Sequence, residues 1–521
     1  MQENSLNVTN AINGSILYSI EEQTPAQIKQ YYQKANIVQN KIAKMSLADR
    51  LAEIEKINQY VMQYADVILD YIIAETGKAR TDAFAAEVFE VCDVIDVYKK
   101  LAPKLLKDKD VPVPIFLMGK KSKQFFEPLG TILVITPWNF PFYQVIVPSM
   151  LAFIAGNATI VKPSEVTPLK PLWEHFFAHS GFMQDAIQIV FGGKSTGAAL
   201  IAERPDKIHF TGSVNTGKKI AQLAAQDLIP VDLELGGKDA SIVFDDVNFD
   251  RTINGIMWGA FTNAGQNCTG IERLYVQESI YDKFVAELVD KTKKLRVSNP
   301  NRDTSRPDEC DVGAMTASFQ VAIVEDHIED ALAKGARLLC GGIKEKGSMH
   351  IPPTILDNCT HEMKIASEET FGPTLAVMKF KTEEEAITLA NDSIYGLGGS
   401  VWTKDKERGV RVARAIKTGN FCINNHMINE ANPYLPFGGT KQSGIGRFKG
   451  EEGILTFCNH KSVFIDNMSK VVDPHWYPYT ENKAKLLKNL MEAWFAKSRK
   501  YIKFAVNGLQ IDAIGTKEQI K

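Results

Sequence analysis

No charge of one sign dominates this chain, and no cysteine pair marks it for a metal or a disulfide. Its 521 residues carry a net charge of −2, so there is no electrostatic footprint for nucleic acid. The seven cysteines, at positions 92, 268, 310, 340, 359, 422 and 458, are odd in number and scattered, and none stands in C-x-x-C spacing. Neither a disulfide framework nor a zinc site is indicated, no metal is expected, and a reducing compartment fits. A basic stretch followed by an apolar one is missing from the N-terminus. No secretory signal is therefore visible, and a cytoplasmic protein is expected. No short internal repeat or low-complexity tract stands out.

One long stretch, residues 128 to 161, lacks Asp, Glu, Lys and Arg altogether. Length and charge alone would suggest a membrane span. Pro137, Pro141 and Pro148, with the polar Trp138-Asn139 and Asn157, argue against one. The better reading is a buried strand over Thr131–Thr136, a loop, a core helix, and a second strand over Thr159–Lys162. Uninterrupted apolar strands of this kind belong to parallel sheets covered on both faces.

A chain of this length exceeds one core, so two or three domains are expected. The first hundred residues read as helices, with start signals at Thr24-Pro25 and Ser46-Leu47-Ala48-Asp49 and a stop at Gly77. Between 131 and 245, apolar runs at Thr131–Thr136, Thr159–Lys162, Ala186–Val190, Lys207–Thr211 and Val231–Glu234 alternate with helical stretches. From 250 to 440 the alternation repeats at Arg273–Val276, Arg337–Cys340, Leu375–Phe380, Gly399–Thr403 and Asn420–Ile423. This predicts an α/β protein with two doubly wound α/β domains. Residues 106–127, around Val111-Pro112-Val113-Pro114, read as an outward excursion of extended chain.

The tail differs in charge. From Met468 onward there are ten Lys and Arg against five Asp and Glu. Leu487, Leu490, Met491, Trp494, Phe495, Tyr501 and Ile502 fall near one helical face, ringed by lysines. Such a basic amphipathic segment, 482–504, either packs on a subunit of its own protein or makes a peripheral membrane contact.

Chemistry concentrates in a few places. Cys268 lies in Gly265-Gln266-Asn267-Cys268-Thr269-Gly270, a small polar stretch unsuited to a packed core. Upstream, Glu234 sits in Leu233-Glu234-Leu235-Gly236-Gly237-Lys238. A loop thiol and a carboxylate held between apolar and glycine residues suggest a covalent nucleophile and a base that activates water. A lone cysteine is more often a small buried apolar residue, so its company decides. Thr211-Gly212-Ser213-Val214-Asn215-Thr216-Gly217 follows an expected strand and opens a helix, where backbone can approach a phosphate. Its G-x-x-x-x-G spacing is not the G-x-G-x-x-G dinucleotide fingerprint. Lys162-Pro163-Ser164-Glu165 ends another strand, at the edge where open α/β sheets bind ligands. Asn139, in Pro137-Trp138-Asn139-Phe140-Pro141, is a donor that could face an oxyanion. Glu368-Glu369-Thr370-Phe371-Gly372-Pro373 and Pro436-Phe437-Gly438-Gly439-Thr440-Lys441 complete the set.

Together and in this order, these motifs resemble the aldehyde dehydrogenase superfamily over about residues 10 to 467. The paired L-E-L-G-G-K and G-Q-x-C carry most of the likeness. The resemblance implies Cys268 as nucleophile, Glu234 as general base and Asn139 in the oxyanion hole. It implies cofactor contacts at Trp138, Lys162, Glu165, Gly212, Ser213, Gly217, Leu235, Glu369 and Phe371. Glu165 would hold ribose hydroxyls and tilts the choice to NAD, with NADP as the alternative. Phe140, Gln144, Val147, Thr269 and Phe437 match substrate-pocket positions and imply a mostly apolar tunnel for an aldehyde.

The implied domains are NAD-binding over 1–105 and 128–235, and catalytic over 236–442. An oligomerisation arm and bridging segment over 106–127 and 443–467, serving a homodimer or tetramer, would precede the 468–521 extension. Two departures stand out. Phe448 occupies a position where many members carry a relay Glu, and Thr269-Gly270-Ile271-Glu272-Arg273 is similar to the branch with long C-terminal extensions. Two rivals remain: a CoA-acylating aldehyde dehydrogenase, and a catalytically silent structural or binding protein on the same fold.

Overall fold

The structure, a computed structural model, describes residues 5–117, 119–468, 472–473 and 475–517. Residues 1–107 with 126–459 form one compact unit, and residues 108–125 with 460–521 a second.

Among the described residues, the larger unit contains two large sheets beside a two-stranded hairpin. In the first, β1 (Thr131–Ile135), β2 (Ala158–Lys162), β3 (Ile187–Ile189), β4 (Lys207–Thr211) and β5 (Val231–Glu234) run parallel in the order β5-β4-β1-β2-β3. β1 and β2 are buried at every position, as their unbroken apolar sequences require of strands covered on both faces. The second sheet comprises β6 (Asp239–Val243), β7 (Ile271–Gln277), β8 (Arg337–Cys340), β9 (Thr354–Asp357), β10 (Thr374–Phe380), β11 (Gly399–Trp402) and β12 (Cys422–Ile423). Its order is β8-β9-β10-β7-β6-β11-β12, parallel except for β8 against β9. Each sheet has its own apolar core.

A short strand, β13 (Gly444–Ile445), returns to the first sheet and pairs antiparallel with β5, Gly444 opposite Glu234 and Ile445 opposite Leu233. Phe448, Ile454, Phe457 and Cys458 then join the first sheet's core. Residues 443–459 therefore lie in the larger unit rather than with the arm.

The helices carry the expected caps. The Thr24 hydroxyl and Gln27 form a reciprocal capping box, the Ser46 hydroxyl accepts from the Asp49 N–H at 3.1 Å, and Gly77 ends its helix at φ 73°. The uncharged stretch folds as strand, loop, helix α1 (Tyr143–Ile154) and strand. Among the described residues no helix is long and apolar enough to cross a membrane.

Several expectations need correcting. The first hundred residues are not all helical: Ser5–Thr9 and Ile16–Glu21 form an antiparallel hairpin, too short for periodicity to reveal. Pro148 does not break its helix but lies inside α1. It forgoes one backbone hydrogen bond there, within an element buried at every residue from Val145 to Ile154. β6 and β9 were not foreseen.

In the smaller unit, Lys109–Val111, part of Lys121–Pro128 and part of Cys458–Ile465 belong to one three-stranded sheet. The tail is not a single amphipathic helix. It breaks between Glu481–Phe495 and Tyr501–Lys517, and Leu486, Leu490 and Ile511 form a small core of its own. Met491, Phe495 and Ile502 are consequently exposed.

Candidate active site

The carboxyl ends of the first sheet deliver five of the expected residues to one place. β1 runs out into the Trp138-Asn139 loop, β2 ends on Lys162, β4 leads into Gly212, and β5 ends on Glu234. This is the edge at which open parallel sheets bind ligands. The Gly212 N–H donates to the Glu234 carbonyl at 3.0 Å, tying the turn before helix α2 (Val214–Ala225) to the end of β5. Ser213 caps α2 by accepting from the Thr216 N–H, and Gly217 lies against Leu235.

Apart from Gly217, which packs behind the wall on Leu235, these residues line a cavity of about 1530 Å³, which also holds Cys268. On its wall are Trp138, Asn139, Lys162, Glu165, Gly212, Ser213, Glu234, Leu235, Glu369 and Phe371. The Lys162 ammonium lies 3.2 Å from the Glu165 carboxylate. Trp138 meets Phe371 edge-on, ring centres 5.3 Å apart. The Glu369 carboxyl accepts from the Gly237 N–H at 3.0 Å. A methyl group on Gly236 would stand 2.1 Å from the same carboxyl, so only glycine lets Glu369 approach the chain there. Burial pushes the Glu369 carboxyl up to about 8, and the nearby charge of Glu272 adds to this.

Cys268 follows helix α3 (Phe249–Phe261) and a tight turn in which Asn263, Ala264 and Gly265 all adopt positive φ. For two non-glycine residues this is a costly backbone, of the kind stored at functional sites. The turn is held on three sides. Asn263 and Asn139 both donate their amides to the Gln266 carbonyl, at 2.9 and 3.0 Å. The Gln266 side chain accepts from the Thr316 N–H at 2.9 Å. Asp82 accepts from the Thr262 hydroxyl and the Asn263 N–H. Cys268 is partly covered, its open side facing the cavity. Burial first, then the charges of Glu430, Asp239, Glu369 and Glu234, push its thiol well above the ordinary value.

Glu234 is buried with neither carboxyl oxygen hydrogen-bonded to protein. Desolvation, followed by the charge of Asp232, holds its carboxyl well above the usual range, against the opposing charges of Arg447 and Lys449. An unpaired buried carboxyl is costly, and its place in a large cavity beside a cysteine marks it as chemical rather than structural.

Of the expected pocket residues, Phe140, Gln144 and Phe437 line the cavity. Val147 does not: it is fully buried within α1. Thr269 does not either, because its hydroxyl turns to Glu430, donating at 2.9 Å. Phe448 is buried on the cavity wall, its backbone paired with Phe437.

The structure adds residues that no motif announced. Glu430, Lys449 and Glu90 line the cavity, with Lys449 2.6 Å from Glu90. Phe89, Trp258 and Ile428 form an apolar rim, on the wall yet exposed. Phe89 ends a π-helical turn, Phe84–Phe89. Beneath Phe140, the buried Lys78 ammonium sits 4.0 Å from the ring centre and pairs with Glu87 at 2.5 Å. Glu87 in turn accepts from the Phe142 N–H at 2.8 Å, which fixes the loop that carries Asn139.

Comparison with known proteins agrees with this layout. The profile of the aldehyde dehydrogenase family matches residues 1–463. The chain is 36% identical over 483 residues to the 4,4'-diapolycopene aldehyde oxidase of Methylomonas sp., covering 92% of this chain and 89% of that protein. A Mycobacterium tuberculosis aldehyde dehydrogenase solved with NAD+ superposes with TM-score 0.83 and 31% identity, over 90% of this chain and 96% of that one. An Escherichia coli NADP-dependent enzyme superposes with TM-score 0.82 and 30% identity, over 88% and 94%. With its two parallel sheets, its cysteine turn and its family-wide match, this chain belongs to the aldehyde dehydrogenase family and is an oxidoreductase.

Proposed function

We propose that the protein oxidises an apolar aldehyde to its carboxylic acid, using NAD and a covalent intermediate on Cys268. The observation that carries this reading is the unpaired Glu234 carboxyl in the same cavity as Cys268 and Asn139.

A dinucleotide fits the residues present. The cavity is large enough for both cofactor and substrate, and a capped helix N-terminus and the Lys162–Glu165 pair line one part of it. Lys162 and Glu165 would hold ribose hydroxyls, and the Glu165 charge favours NAD over a 2′-phosphate. Glu369 and Phe371 would hold the nicotinamide end. When bound, the cofactor accepts a hydride from the carbonyl carbon.

The chain's own residues do the rest. The Cys268 S–H gives its proton to solvent water, and the sulfur forms a C–S bond to the aldehyde carbon as the carbonyl π bond opens onto oxygen. The Asn139 amide and the Cys268 N–H support the oxygen that becomes negative. After hydride loss the carbon is held as a thioester. Glu234 takes a proton from water, the water oxygen adds, and the C–S bond breaks to release the acid. The presence of Glu234 favours water over CoA as acceptor. The rim of Phe89, Trp258 and Ile428 supports a substrate with a long or bulky apolar body.

The three-stranded arm supports a homodimer or tetramer, since an open edge strand gains by pairing with a second copy. In the tail, Phe495 and Ile502 lie exposed among Lys497, Arg499, Lys500 and Lys503. These support a peripheral contact of 482–504 with an anionic membrane surface, testable by liposome flotation against a chain ending at Met468. The main test is NADH absorbance with a panel of aliphatic and aromatic aldehydes. Turnover that survives Cys268→Ala, or is absent across the panel, rejects the reading.

A further inference from the structure

Position 448, where many relatives have a relay carboxylate, is a buried phenylalanine here, yet another carboxylate, Glu430, lines the same cavity as the nucleophile. Glu430 belongs to the loop after β12, far from any motif. It grips both neighbours of Cys268. The Thr269 hydroxyl donates to it at 2.9 Å, and the Asn267 amide group bonds it as well.

An ionised carboxylate can only accept. Glu430 and the Met427 sulfur, which accepts from the Asn267 NH2 at 3.1 Å, together hold that end of the amide and leave its oxygen facing the thiol. The structure shows this orientation: the Asn267 Oδ1 lies 3.8 Å from the Cys268 Sγ, within reach of its S–H, and also takes the Thr269 N–H at 3.2 Å. The Glu430 loop is itself anchored, because the Lys449 ammonium donates to the Glu430 carbonyl and pairs with Glu90 at 2.6 Å.

We propose that Glu430 is a positioning residue for the nucleophile: through Asn267 and Thr269 it fixes the direction of the Cys268 thiol. The inference rests on reading Cys268 as the nucleophile. Other charges act at this place too. Lys449, Glu90, Tyr143 and Asp239 face Glu430, and Asp239, Glu369 and Glu234 face Cys268 along with it. Of the charges acting on the thiol, that of Glu430 is the largest. Burial raises the Glu430 carboxyl itself to about 7, so the clamp tightens as pH rises through neutrality.

Alkylation of Cys268 by iodoacetamide, followed by mass spectrometry of its peptide, reads the thiol without cofactor or aldehyde. In the full chain, Glu430→Gln keeps the size but removes the charge, and its amide no longer dictates which way Asn267 points. The alkylation midpoint is expected to fall by roughly one pH unit, and alkylation at a pH well above neutral, where Glu430 is ionised but the thiol is not, to rise about tenfold, while aldehyde turnover falls. A loosened fold would also unmask the thiol and cut turnover, so a thermal melt is run beside the alkylation, and a fallen midpoint with an unchanged melt assigns the shift to the lost Glu430 charge. Glu430→Asp, with its charge retained, is expected to keep the midpoint near that of the wild type. Equal midpoints in wild type and Glu430→Gln overturn the proposal. A shifted midpoint in a protein that turns over no aldehyde leaves the clamp standing and rejects the dehydrogenase reading instead.

Discussion

The side-chain amide of Asn139 donates to the backbone carbonyl of Gln266 at 3.0 Å, so the expected oxyanion donor is tied to the turn two residues ahead of Cys268. Asn263 shares the same acceptor at 2.9 Å. Removing Asn139 therefore costs a transition-state donor without emptying the carbonyl of partners. Asn139→Ala is expected to lower kcat by about 10²- to 10³-fold, with a melting temperature close to wild type. Single-turnover and steady-state rates with one aldehyde, beside a thermal melt, check this.

Glu234→Gln should separate the two halves of the reaction. Hydride transfer does not need the carboxylate, so a burst of NADH is expected to persist while steady turnover slows. The raised Glu234 carboxyl also sets the sign of the pH dependence. The base form appears as pH rises, so deacylation in the wild type should climb through a midpoint well above the ordinary carboxylate range. Steady turnover across pH, with and without the substitution, tests this. A climb that persists unchanged in Glu234→Gln assigns it to another group.

The Lys78–Glu87 pair lies fully buried under Phe140. Desolvation lowers the Lys78 ammonium from its usual value, so its charge depends on Glu87. Lys78→Met leaves Glu87 uncompensated and should destabilise the protein by about 3–5 kcal/mol. Denaturant unfolding of the variant measures this.

The rim predicts a dependence on chain length. Trp258 and Phe89 are 46% and 62% exposed, yet both line the cavity that holds Cys268. Trp258→Ala should reduce kcat/KM about tenfold for long apolar aldehydes, the loss of roughly 55 Å² of apolar contact, and leave short ones unaffected. A homologous series of alkanals reveals the difference.

Glu165 bears on cofactor choice. Glu165→Gln should raise kcat/KM for NADP relative to NAD, because a carboxylate repels a 2′-phosphate and an amide does not. An unchanged ratio would place discrimination elsewhere on the wall.

Most of the first sheet could be read from the sequence because β1, β2 and β4 are short, apolar and bounded by turn residues. Cys268 and Glu234 were legible because their neighbours are small, polar or glycine. What escaped the sequence depended on direction or distance. Val147 has the right chemistry for a pocket but points into the core. Thr269 sits beside the nucleophile but turns its hydroxyl to Glu430. Glu430 carries no local signal, since its role arises only when the loop after β12 folds against the cysteine turn. Pro148 signals a break, yet α1 runs through it. The run of apolar residues along one helical face of the tail hid a stop at Ala496, where the backbone leaves the helix at ψ 153°.

The pairing of β13 with β5 has a consequence for how the molecule comes into being. β5 carries Glu234, and the strand that completes its edge is made only after the whole second sheet has left the ribosome. A nascent chain can thus hold Cys268 and its turn for some time before the base is locked into place. Assembly of the chemistry is deferred to the end of synthesis, when both sheets are complete and the chain closes back on the first.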